Sequence, residues 1–88
     1  MMHDRRARFV ARMLAWVVSR LAAGAAVDAR TPLFASGLVS SIKVLDLIAW
    51  TEREIGREIP DTQIRLDNFY SVQRIAEVFV AEESDVAA

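Results

Sequence analysis

Leu33-Phe34-Ala35-Ser36-Gly37-Leu38-Val39-Ser40-Ser41-Ile42-Lys43-Val44-Leu45-Asp46-Leu47-Ile48 is the stretch that decides how this chain folds. Its first half is a connection that carries apolar side chains, Leu33 and Phe34. A connection of that kind is expected to pack across a core, because exposing a Phe gains nothing. Its second half reads as a helix that starts at Ser40 or Ser41 and runs to Ile55. Serine is a good N-cap, since its hydroxyl accepts from an otherwise unbonded backbone N–H. Val44, Leu47, Ile48, Thr51 and Ile55 make the core stripe of that helix. Gly56 fits its C-cap.

Working outward, the first helix is expected over about Arg5–Ala23, with Gly24 as a stop signal. Val10, Met13, Leu14, Val17 and Leu21 fall on one apolar stripe, with Phe9 and Trp16 at its edge. Arg5, Arg8 and Arg12 lie opposite. Residues 24–40 form a long connection, in which Pro32 biases the residues before it away from helix. On the other side, Asp61 starts a short turn after Pro60, and residues 66–69 read as a brief third helix. Ser71 caps a last helix to about Ala81, with Val72, Ile75, Ala76, Phe79 and Val80 spaced for burial. The acidic tail Glu82–Ala88 is expected to fray. The residues alone predict a small helical bundle with one long loop between its first two helices.

Eighty-eight residues are enough for a single domain over 1–88, with its core at about 5–81. An apolar fraction of 53% supports one helical core but not a deep catalytic cleft. There is no cysteine, so no disulfide framework and no thiolate metal site. That agrees with a cytoplasmic location. Arg12 and Arg20 interrupt the apolar run from Phe9 to Val27, so neither a signal peptide nor a membrane span is expected.

The net charge of −1 hides an asymmetry: six arginines stand against two acids in residues 1–30, while ten acids stand against five bases in the remainder. A basic start can signal nucleic acid, but these arginines also fit a solvated helix face. Catalysis is hard to assemble, because the only histidine, His3, lies near the start of the chain. No metal motif and no glycine-rich phosphate loop occurs. What remains is a hydroxyl at the head of an amphipathic helix, where first-turn N–H groups and the helix dipole favour a phosphate. Simple capping by Ser40 and Ser41 explains the same residues.

Phe34-Ala35-Ser36-Gly37-Leu38-Val39-Ser40-Ser41-Ile42 resembles the modification motif of the acyl carrier protein family, which includes the peptidyl and aminoacyl carriers. Glu52-Arg53-Glu54-Ile55-Gly56-Arg57-Glu58-Ile59-Pro60-Asp61 is similar to a second segment of that family. Asn68-Phe69-Tyr70-Ser71-Val72-Gln73-Arg74-Ile75-Ala76 is similar to its entry into the last helix. The resemblance covers roughly residues 31–80 without a gap. It implies an all-α, four-helix bundle with a long loop between helices one and two and a short helix three. It also implies a stand-alone, non-catalytic carrier whose Ser41 bears a 4′-phosphopantetheine arm derived from coenzyme A. The arm's thiol would hold acyl or aminoacyl cargo as a thioester.

The implied partners are a phosphopantetheinyl transferase working with Mg²⁺, a loading ligase, adenylation enzyme or acyltransferase, and a downstream condensing or transferring enzyme. A monomer is expected, with no nucleic acid and no membrane. One residue departs from the pattern: the family places Asp before the modified serine, and this chain has Ser40. Register favours Ser41 as the modified residue and Ser40 as the cap. Rival readings are an unmodified helical adaptor and, weakest, a small nucleic-acid-binding bundle.

Carrier partners typically read helix two. Ile42, Leu45 and Ala49 lie off the core stripe there, as does Asp46, and Asp46, Glu52 and Glu54 form a thin acidic rim broken by Lys43 and Arg53. The alternative is a set of scattered surface residues. Trp50 is included in the docking surface, with two alternatives open: it folds over a neighbouring helix, or it is an exposed anchor. The weak acidity of the rim tilts the expected role toward polyketide or non-ribosomal peptide biosynthesis.

Overall fold

A computed structural model describes residues 5–21 and 26–80 of the chain. The expected helix end at Ala23, the stop at Gly24, the last-helix end at Ala81 and the tail 82–88 lie outside the described residues, as does His3. The protein is all-helical, and no strand occurs among the described residues. Among the described residues three α-helices occur: α1 (Arg5–Trp16), α2 (Val44–Ile55) and α3 (Val72–Phe79). Short 3-10 turns cover Ser41–Lys43, Asp61–Gln63 and Leu66–Phe69.

The brief third helix expected over 66–69 is present as a 3-10 helix, Leu66–Phe69, and the turn expected at Asp61 is the 3-10 turn Asp61–Gln63. Each segment is only three or four residues long, too short to repay the cost of nucleating an α-helix. In the second turn Phe69 is fully buried, 5.4 Å from the ring of Phe79. Residues 26–40 carry no helix.

α1 continues into a π-helical turn, Val17–Leu21, instead of remaining α-helical. The Ser19 hydroxyl donates to the Trp16 carbonyl at the junction (3.2 Å), the kind of side-chain intrusion that competes with the regular ladder. The buried line of α1 also differs from the expected stripe. Phe9, Met13 and Val17 are its centre, while Val10, Leu14 and Leu21 are only half-buried. The cause is Trp50 of α2. Its ring meets Phe9 edge-on at 5.6 Å and stacks on Trp16 at 5.4 Å. These two α1 positions are two turns apart and hold the indole between them.

α2 and α3 bury what their spacing predicts. Leu47, Ile48 and Thr51 are buried, with Val44 and Ile55 packed against the core. The buried Thr51 hydroxyl donates to the Leu47 carbonyl (2.7 Å), so it carries no unsatisfied group into the core. Gly56 closes α2 at φ +76°, a conformation that favours glycine, and its N–H donates to Glu52 (2.9 Å). Ser71 caps α3, accepting from the Arg74 N–H (3.1 Å). Val72, Ile75, Ala76, Phe79 and Val80 are all buried. Arg6 Nε donates to the Val80 carbonyl (3.1 Å) and its Nη2 to that of Glu77 (3.3 Å), closing the other end of α3 against α1.

No helix among the described residues is long and apolar enough to cross a membrane. Replacing Trp50 with Ala should lower unfolding free energy by about 3–5 kcal/mol, the usual result for a buried aromatic. Urea denaturation monitored by helix circular dichroism measures it. A loss near zero is the result an exposed Trp50 would give.

Candidate functional site at the head of α2

The connection before α2 is pinned into the core at both ends. Leu33 and Val39 are buried. The Leu33 N–H donates to the Tyr70 carbonyl (2.8 Å), and the Val39 N–H donates to the Leu33 carbonyl (2.9 Å). Between them Gly37 turns the chain at φ +83°, and its N–H donates to Phe34 (3.0 Å). Upstream, the Asp28 carboxylate accepts from the Arg30 N–H (2.9 Å) and from the Thr31 hydroxyl (3.1 Å). Those two bonds hold its carboxyl below the usual carboxylate range.

Ser40 follows in extended conformation, and its hydroxyl accepts from the Ile42 N–H (3.3 Å). It is the cap. Ser41 opens the 3-10 turn, its side chain is exposed, and its hydroxyl has no hydrogen-bond partner among the described residues. The Lys43 N–H donates to the Ser40 carbonyl (2.8 Å), and the Val44 N–H donates to Ser41. The N–H groups of Ile42, Lys43 and Val44 are thus engaged within the turn. A phosphate on Ser41 meets the α2 dipole and the exposed Lys43, not the set of open amides that the sequence suggested.

Ile42 is 78% exposed and Leu45 70% exposed, and Asp46 and Ala49 are exposed as well. Positions 42, 45 and 49 share one helix face. Trp50 is not part of it: at 8% exposure it is held by Phe9 and Trp16 and cannot serve as a surface anchor.

The acidic rim is also reduced. Glu52 accepts from the Ile59 N–H (2.8 Å), and Glu54 forks onto Arg12 (2.8 and 2.9 Å), so both carboxylates hold the fold together. Asp46 and Ala49 instead open onto a groove of about 310 Å³ with Lys43 of the preceding turn and Arg53 of α2, and with Trp16, Arg20 and Leu21 across from them. Sequence reasoning missed the α1 side of that groove. It also missed the exposed Leu66 and Tyr70, whose signal was an apolar residue among polar neighbours in a short turn.

No family model, no curated protein and no solved structure matches the chain. No group of three His, Cys, Asp or Glu side chains placed to hold a metal ion occurs among the described residues. The chemistry available at the head of α2 is that of an accessible serine hydroxyl beside two exposed aliphatic side chains. With Ser40 as the cap, Ser40→Ala should cost about 1 kcal/mol. Ser41→Ala should leave the urea midpoint unchanged, and equal losses would show that the two serines share the capping role.

Proposed function

We propose that this chain is a carrier unit that holds an acyl or aminoacyl cargo on a 4′-phosphopantetheine arm attached to Ser41. The observation that carries the reading is the setting of Ser41, an exposed and unengaged hydroxyl at the head of α2 behind a pinned loop. Such a hydroxyl is open to a transferase and fits the arm sterically. The Ser41 oxygen would form a phosphodiester by displacing the nucleotide half of coenzyme A, with its proton passing to the transferase. When attached, the arm supplies the thiol that this cysteine-free chain lacks. The chain's own residues then present the arm without catalysing its reactions.

In this reading the turn Leu66–Phe69 takes the place of the family's short third helix. Ile42, Leu45 and Ala49 offer partners an apolar face, and Asp46 is the one acid beside it. So small an acidic contribution favours a specialised polyketide or non-ribosomal peptide pathway over bulk fatty-acid synthesis. The second reading, an unmodified helical adaptor, is favoured by one observation: Ser40 stands where the family has Asp.

Incubation with coenzyme A, Mg²⁺ and a broad-specificity transferase should raise the intact mass by one phosphopantetheine, and Ser41→Ala should abolish the gain. No gain under conditions that modify a control carrier selects the adaptor. Leu45→Glu should leave helicity intact and slow cargo loading by the cognate enzyme about tenfold, the effect of placing a charge in a docking contact. Unchanged loading would remove this face of α2 from the docking surface.

A further inference from the structure

The groove along the outer side of α2 is lined by Arg20, Lys43 and Arg53 with one acid, Asp46, and by Trp16, Leu21 and Ala49. All four charged side chains are exposed, and none of them makes a hydrogen bond or ion pair among the described residues. The residues that follow Leu21 and lie outside the described ones, Ala22, Ala23, Gly24 and Ala25, carry no charge. A second groove, of about 530 Å³, stands at the C-terminal end of α2 beside Arg57. Residues 1–4 and 81–88 join the described chain at Arg5 and Val80, which line that second groove.

The free charges of α2 therefore differ in sign from those its sequence offered. Glu52 is engaged by the Ile59 N–H and Glu54 by Arg12, which leaves Asp46 as the unengaged carboxylate in the groove lining. Against it stand Lys43 and Arg53, and α1's π-helical extension adds Arg20. Ala49 belongs both to this groove and to the exposed face of Ile42 and Leu45. A partner seated on that face meets the groove without leaving α2.

We infer that the partner protein which docks on α2 brings an acidic segment to this groove, its Asp or Glu carboxylates received by Arg20, Lys43 and Arg53. The inference rests on the reading of α2 as the docking helix and names the sign of the surface that reads it. Charge complementarity selects an anionic occupant, and both guanidinium forks are open to receive carboxylates. Asp46 selects the kind of anion. A nucleic-acid backbone needs cations along an unbroken track, and Asp46 interrupts this one. A protein segment can set a donor opposite Asp46 and carboxylates on either side of it. A lipid surface would meet the protruding Ile42 and Leu45, but Trp16 and Leu21 are half-buried and recessed from such a plane.

The test titrates the isotope-labelled full chain, unmodified at Ser41, with a peptide of repeating Glu-Leu and with its Lys-Leu counterpart, followed by NMR. The Glu-Leu peptide should bind, shifting the Trp16 indole N–H and the Ala49 amide, and added sodium chloride should weaken it. The Lys-Leu peptide should bind about tenfold more weakly or not at all. Arg20→Glu with Arg53→Glu should weaken Glu-Leu binding about tenfold, the effect of two exposed charge contacts reversed. Asp46→Asn should tighten it about threefold, a gain that loss of folding does not imitate. Arg5→Glu, in the second groove, should leave it unchanged. Single Arg20→Gln and Arg53→Gln variants, each checked for native helicity, should give intermediate losses if the double variant is unstable. Absence of Glu-Leu binding, equal binding of Lys-Leu, or equal loss in Arg5→Glu would overturn the inference. Tighter binding of duplex DNA or of phosphatidylserine vesicles at Trp16 would overturn it in favour of those partners. Binding that emerges only after removal of residues 82–88 would overturn it by assigning the groove to the chain's own acidic end. Modification of Ser41 is read separately by mass, so failure of peptide binding and failure of the carrier reading are distinct results.

Discussion

The packing of Trp50 between Phe9 and Trp16 sets the roll of α2, and every surface described above follows from that roll. A helix resting on a core through aliphatic side chains can turn about its axis at modest cost. Two ring contacts placed two turns apart on α1 remove that freedom. Each is worth about 0.5–1.5 kcal/mol beyond the area it buries. The forked Arg12–Glu54 pair nearby lies at the surface, with Arg12 open to solvent that screens the attraction. The aromatic contacts therefore fix the helix, and the ion pair follows their geometry. With Trp50 turned toward α1, Ile42, Leu45 and Ala49 face outward, while Glu54 reaches Arg12.

The head of α2 is positioned by a different means. The 3-10 turn at Ser41–Lys43 buries none of its own side chains. A chain of backbone hydrogen bonds places it instead, running from Tyr70 to Leu33 and from Leu33 to Val39. The Gln73 N–H adds a further tie to Ala29 (2.8 Å), joining the start of α3 to the same connection. Buried Leu33 and Val39 supply the apolar anchorage that makes those bonds persistent. The segment between the anchors can then turn sharply at Gly37 without moving Ser40 or Ser41. A mobile arm on Ser41 would thus start from a fixed point, which is what presentation to several partners requires.

The elements most legible in the sequence are those governed by local rules. The stripes of α2 and α3, the caps at Ser40 and Ser71 and the stop at Gly56 depend on spacing and on single side chains, and they stand in the structure. The exposure of Ile42 and Leu45 was legible for the same reason. What could not be read was set by partners distant in sequence. Periodicity alone put Phe9 at the edge of α1, and only Trp50 brings it to the centre. Glu52 and Glu54 looked like a free rim, because nothing local reveals that the Ile59 N–H and Arg12 engage them. The π-helical turn depends on competition for the Trp16 carbonyl, which propensity does not describe. The brief helix expected over 66–69 stands as a 3-10 helix, because so few residues cannot repay the cost of α-helix nucleation, and it buries Phe69.

The basic first third of the sequence looked like one feature, and the structure divides it into several. Arg6 closes the carbonyl end of α3, and Arg12 forks onto Glu54. Arg20 lines the groove beside Asp46 and Ala49, while Arg5 and Arg8 line the groove beside Arg57. Arg30 lies in the connection, its N–H bonded to Asp28. Neutralising a phosphate backbone needs cations spaced along a continuous track. These arginines are instead distributed between structural duties and two grooves, one running along α2 from Asp46 to Arg53 and one at its C-terminal end. The charge asymmetry of the sequence is therefore spread over several separate places in the fold.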